Sequence, residues 1–255
     1  MTESKVLLKV EDGVAFLTLN DPERLNALSG TLIADLHREL DRLDQDRSIR
    51  VVVLTGAGGR SFSAGGNLAD IRHDLVGARA VLKTIESAFE RLERLPMPVV
   101  AAVNGLAYGA GFGLALISDL VIASDRAKFC LPDAKMGNAP GSALVRGAIN
   151  IGRRKLLDLS FLAEPIDAIE AKQIQLANWI VPHDDLMHEA GRLANRLKER
   201  APISLEFVKE VVNRDLNPGD WHTLFMEIAG LWTSNDLQEG LTAFKAKRSP
   251  VFQGR

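Results

Sequence analysis

Two short apolar-rich stretches, VLLKVED (6–12) and VAFLTLN (14–20), flank Glu11-Asp12-Gly13 and predict a β-hairpin with a tight turn. From Ser29, Leu32, Ile33, Leu36, Leu40 and Leu43 recur at helical spacing. The run IRVVVLTG (49–56) is apolar throughout and ends on glycine, the pattern of a strand covered on both faces. GAGGRSFSAGGNL reads as a loop, with a helix expected from about Asn67 as N-cap. An amphipathic helix spans 78–95 and is closed by Pro96 and Pro98.

The pattern then repeats: a strand at 98–103, a glycine-rich loop, a helix at 109–118 and strands at 119–124 and 127–131. Strand–loop–helix units in this order predict an α/β architecture. Beyond residue 150 helical spacing dominates, at 152–162, 167–173, 184–199, 201–213, 220–232 and 235–247, with ANWIVP (177–182) as a lone strand. One core over 1–195 and a helical region over 196–255 are expected.

Composition narrows the function. The chain has 255 residues, 46% of them hydrophobic and 25% charged, and a net charge of −2. Its basic residues are scattered, so no nucleic-acid partner is expected. Apolar runs are broken by Asn104, Gly105 or Asp119, short of the ~20 residues of a spanning helix. The first residues carry no basic segment followed by an apolar one, so a cytoplasmic, membrane-free protein is expected. The single cysteine, Cys130, lies in the run KFCL and reads as a small buried hydrophobe. The five histidines are scattered and no metal motif is present.

Chemistry concentrates in two glycine loops, each following an apolar strand: RSFSAGGNLADI and YGAGFGLAL. A dinucleotide fingerprint would need G-x-G-x-x-G, but the sixth position of 109–114 is Leu114. A second possibility is an oxyanion hole, two backbone amides from separate loops meeting on one carbonyl oxygen. Spacing alone leaves close helix–strand packing equally open.

The segments LNDPERLNALS, VVVLTGAGGRSFSAGGNLADI, PVVAAVNGLAYGAGFGLALISDLVIAS, AKFCLPDAKMG and EGLTAFKAKRSPVF occur in this order over nearly the whole chain. Together they closely resemble the crotonase, or enoyl-CoA hydratase/isomerase, superfamily. The resemblance implies an α/β crotonase-like spiral of ββα units followed by a helical C-terminal region used for trimerisation, as a homotrimer or a hexamer of two trimers. It implies an acyl-CoA thioester substrate, with coenzyme A as part of that substrate and no permanently bound cofactor. The family's F-x-A-G-A-D motif matches Phe62 to Asn67, so Gly66 supplies the first oxyanion amide. N-G-x-A-x-G-G-G matches Asn104 to Gly111, so Ala110 supplies the second. Coenzyme A contacts are expected, largely through backbone, near Leu25, Asn26, Ala27 and Leu28 and from Ala64 through Asn67, Leu68 and Ala69. Phe244, Lys245 and Lys247 are further candidates; a solvated basic helix end explains the two lysines equally well.

One departure bears on the reaction. Family hydratases carry a glutamate at the position of Gly113 and another at the position of Asp133. One carboxylate suffices to take a proton from C2 and return it at C4, so isomerisation with Asp133 as the shuttle is the leading expectation. Hydration through another group and decarboxylation stay open. A non-catalytic acyl-CoA binder would also fit Gly113, but Asp133 argues against it. Asp70 and His73 read as solvated, Tyr108 as packing, and 136–147 as a loop offering Asn138, Gly141 and Ser142.

Overall fold

The computed structural model describes residues 4–214, 222, 225–226, 228–230 and 232–251. The chain opens with the antiparallel hairpin β1 (Val6–Glu11) and β2 (Val14–Leu19). Asp12 and Gly13, at φ 48 and 75, make its turn, matching the twist that two-residue hairpin turns require. Helix α1 (Gly30–Gln45) starts where Ser29 Oγ accepts the amide of Leu32, and it buries the five apolar residues that its spacing picked out.

From there the chain winds between two sheets. β3 (Val51–Gly56), β5 (Val99–Val103) and β7 (Leu120–Ser124) join β2 in parallel, and β10 (Trp179–Val181) pairs with β7. The short strands β4 (Ser61–Ser63), β6 (Leu106–Tyr108) and β8 (Lys128–Cys130) form a second parallel set, closed by antiparallel β9 (Ile166–Asp167). Each turn of the spiral thus lays one strand in each sheet. β4 and β6 lie inside stretches expected to be loops. Three residues are too few to show periodicity, and these strands exist because each finds a neighbour.

Helix α2 (Leu75–Glu93) packs beside α1, and α3 (Ala110–Ile117) fills the space between the sheets. The helix expected from Asn67 is instead a short 3-10 turn, Leu68–Asp70, capped by Asn67, and α2 begins only at Leu75. The 136–147 stretch is not wholly a loop, because Gly141–Gly147 forms α4. Then follow α5 (Arg153–Leu162), α6 (Ala168–Gln173), α7 (Leu186–Lys198) and α8 (Pro202–Arg214). α7 runs unbroken through residue 195 and covers the outer face of the larger sheet, burying Leu186, Ala190 and Ala194 against Val51, Val53, Val100 and Ile122. Lys209 on α8 reaches Asp119, 2.7 Å away. Of the helix expected at 220–232, residues 222, 225–226 and 228–230 are described and helical, and Phe225, Ile228 and Trp232 are buried in the main core. The last described helix, α9 (Asn235–Lys245), returns to the core: a Cβ at Gly240 would stand 2.4 Å from the carbonyl of Met136. No helix among the described residues is long and apolar enough to cross a membrane.

Candidate active site

Three parallel strands, β4, β6 and β8, lie side by side and therefore end on the same edge of the small sheet. The residues that follow them are Ala64–Asn67, Gly109–Ala110 and Pro132–Asp133. Residues from all three segments line one cavity of about 650 Å³.

The first loop is held from below. Ser63 Oγ donates to the carbonyl of Asn26 (2.8 Å) and accepts the Gly65 amide (3.2 Å). Gly65 adopts φ +92, and a Cβ there would lie 2.5 Å from the Tyr108 carbonyl and 3.1 Å from the Ala110 nitrogen, so only glycine fits. The same contacts bring the first loop against the start of α3. Gly111 continues that contact, since a Cβ on it would lie 2.2 Å from the carbonyl of Ser63. Neither the Gly66 nor the Ala110 amide donates to an acceptor among the described residues, and both residues line the cavity. Two unpaired amides from adjoining loops, one of them at the N-terminus of a helix, suit the developing negative charge of a thioester enolate. Alanine at 110 costs nothing here, because the donor is backbone.

Asp133 opens the 3-10 turn Asp133–Met136 and is 8% exposed. Its Oδ1 accepts Asn138 Nδ2 at 3.3 Å, and its Oδ2 has no hydrogen-bond partner among the described residues. Burial pushes its pKa up from 3.8 to about 6, against the opposing pull of its own backbone amide and of Asn138. A Cβ at Gly109 would sit 3.7 Å from Asp133 Oδ2, so the acid borders the loop that carries Ala110. A carboxyl poised near neutrality beside two free amides can exchange protons with the carbon next to an activated carbonyl.

The sequence model described as enoyl-CoA hydratase/isomerase matches residues 9–255. The chain belongs to the enoyl-CoA hydratase/isomerase family. It is therefore an enzyme of that family, acting on acyl-CoA thioesters. It is 36% identical to a 1,2-epoxyphenylacetyl-CoA isomerase of Escherichia coli strain K12 over 98% of each chain. It is 32% identical to a short-chain-enoyl-CoA hydratase of Clostridium acetobutylicum over 97% of each. Among solved structures, an enoyl-CoA hydratase from Mycobacterium avium subsp. paratuberculosis K-10 superposes with a TM-score of 0.87 at 29% identity, covering 98% of both chains. A methylmalonyl-CoA decarboxylase in complex with 2-nitronate-propionyl-CoA superposes with a TM-score of 0.88 at 25% identity, covering 100% of both. The crotonase fold expected from the sequence is the fold of these structures.

The cavity also collects other residues marked in the sequence. Ala27, Leu28, Ala64, Asn67, Leu68 and Phe244 line it. Asn26 does not: its side chain is buried and joins the Asp21 amide to the carbonyls of Ala57 and Ser61, bracing the loop that carries Ala27 and Leu28. Ala69 and Lys247 stand off the lining, and Lys245 and Lys247 are exposed. Asp70, read as solvated, instead borders the cavity, with its carboxylate accepting the Gly30 amide (2.9 Å) and Asn67 Nδ2 (3.1 Å). Cys130 is buried, 3.5 Å from the carbonyl of Ala163. Phe225, Ile228 and Trp232 form lining that the local pattern did not reveal. A helical period marks an apolar face but not what that face meets.

Gly113 has a structural counterpart. A Cβ there would lie 1.8 Å from Ser142 Oγ and 2.6 Å from Ser142 Cβ, so the first turn of α4 fills the place where a side chain at 113 would begin.

Proposed function

We propose that this enzyme is a one-acid enoyl-CoA isomerase. The thioester oxygen accepts the amides of Gly66 and Ala110. Asp133 removes a proton from C2 of a 3-enoyl thioester, and the electron pair delocalises onto the thioester oxygen and C4. The same carboxyl then returns the proton at C4, leaving the double bond between C2 and C3. The observation that carries this reading is the arrangement of acids. Among the described residues, Asp70 and Asp133 are the carboxylates on the lining, Asp70 is held by Gly30 and Asn67, and Ser142 stands over the bare Gly113.

Coenzyme A would lie along Ala27, Leu28, Ala64, Asn67, Leu68 and Phe244. The exposed apolar residues of α8, Ile203, Phe207, Val208 and Val212, support a subunit interface of a homotrimer or hexamer. A cytoplasmic site of action accords with a substrate that is a water-soluble thioester.

The test is a panel of 2-enoyl, 3-enoyl, saturated and malonyl-type thioesters incubated in D2O with wild type and Asp133→Asn, and followed by mass spectrometry and NMR. Double-bond migration with deuterium at C2 or C4, abolished in the variant, is expected. A 3-hydroxyacyl product or loss of CO2 from a malonyl thioester, without migration, would replace isomerisation with hydration or decarboxylation.

A further inference from the structure

Ser142 stands on the cavity wall where a side chain at 113 would begin. It is 4% exposed and lines the cavity, and its Oγ makes no hydrogen bond to any described residue. It is also rigidly placed. Arg146, one turn further along α4, makes a buried two-pronged ion pair with Glu93 of α2 (2.7 and 2.8 Å). Behind it, Gly141 lies so close to Ile228 and Phe225 that a Cβ would stand 2.8 Å from Ile228 Cδ1.

A serine hydroxyl is neutral at physiological pH; it donates one hydrogen bond and accepts others but does not act as a carboxylate would. Covered by a purely apolar acyl chain, the donor would be left unpaired, which weakens binding. Covered by a chain that places an oxygen over it, the donor is satisfied. We propose that Ser142 is a specificity-determining residue that selects acyl groups carrying an oxygen atom beyond the thioester carbonyl, by donating a hydrogen bond to that oxygen from the position a side chain at 113 would occupy. The inference rests on the acyl-CoA reading of the cavity and is independent of which proton transfer follows.

Equilibrium binding decides it, because saturated thioesters bind without turnover. A saturated acyl-CoA is compared by calorimetry with analogues in which each chain methylene in turn is replaced by an ether oxygen. Wild type is expected to bind one analogue at least tenfold more tightly than the parent. Ser142→Ala should bring the two within about twofold, by weakening the oxygenated ligand and strengthening the parent, which no longer covers an unpaired hydroxyl. Three results would overturn the proposal: no favoured oxygen position in wild type, a preference that survives Ser142→Ala, or equal weakening of both ligands. The wild-type scan decides even if the variant folds poorly. Absence of double-bond migration in wild type, with the preference intact, would refute the isomerase reading and leave this one standing. Failure to bind any of these thioesters would overturn both.

Discussion

Replacing Asp133 by asparagine should stabilise this enzyme while disabling it, and the structure sets the size and the pH window of the gain. The carboxyl ionises near pH 6 in the folded protein against 3.8 in its ordinary state, because burial penalises the charged form. Well below pH 3.8 both folded and unfolded chains carry the proton and the site costs nothing. As pH rises from 4 to 6 the unfolded chain ionises first, so stability falls. Above pH 6 the loss levels off at about 3 kcal/mol, from about 1.4 kcal/mol per pH unit over the interval. Asparagine keeps the shape and an acceptor for Asn138 but never ionises. Urea unfolding of both proteins, at one protomer concentration, should show the variant ahead by about 1 kcal/mol at pH 4.5 and about 3 kcal/mol at pH 7.5. Over the same pH range, C2 exchange by wild type should rise through pH 6, since the base form does the work, while the variant loses at least ~10²-fold. A stability gap of equal size at both pH values, or none, would refute the assignment of a buried, neutral-leaning acid at 133.

Asn138→Ala removes a donor that holds the Asp133 pKa down, so the inflection of the pH–rate profile should move to higher pH without change in the plateau rate. Gly113→Ala forces a methyl group into Ser142 and should cost about 1–3 kcal/mol, a fall of several degrees in melting temperature. Adding Ser142→Gly to it should restore most of that loss, and failure of the rescue would mean that the strain lies elsewhere. Arg146→Met strands Glu93 in the core and should destabilise by about 3–5 kcal/mol in denaturant titration.

Local pattern was enough for the long elements. The apolar run of β3 and the five-residue stripe of α1 appear in the structure where they were expected, because burial of one face or two is written into the residues themselves. It was not enough for β4 and β6, which have three residues each and no period to read. It also missed α4, whose helix follows Pro140 and is anchored by Arg146 reaching 53 positions back to Glu93. Asp70 looked like solvent-facing helix. Its carboxylate is instead claimed by Gly30, 40 residues away.

The site divides in the same way. The sequence by itself determined the family, the two glycine loops, the acid at 133 and the missing side chain at 113, because each is a matter of which residue stands at which spacing. Only the tertiary structure decided that these segments share one sheet edge, that burial holds Asp133 near neutrality, and that Ser142 fills the space over Gly113. Each of those facts depends on atoms distant in the chain meeting within a few ångströms. Desolvation and packing are properties of such meetings and of no single segment.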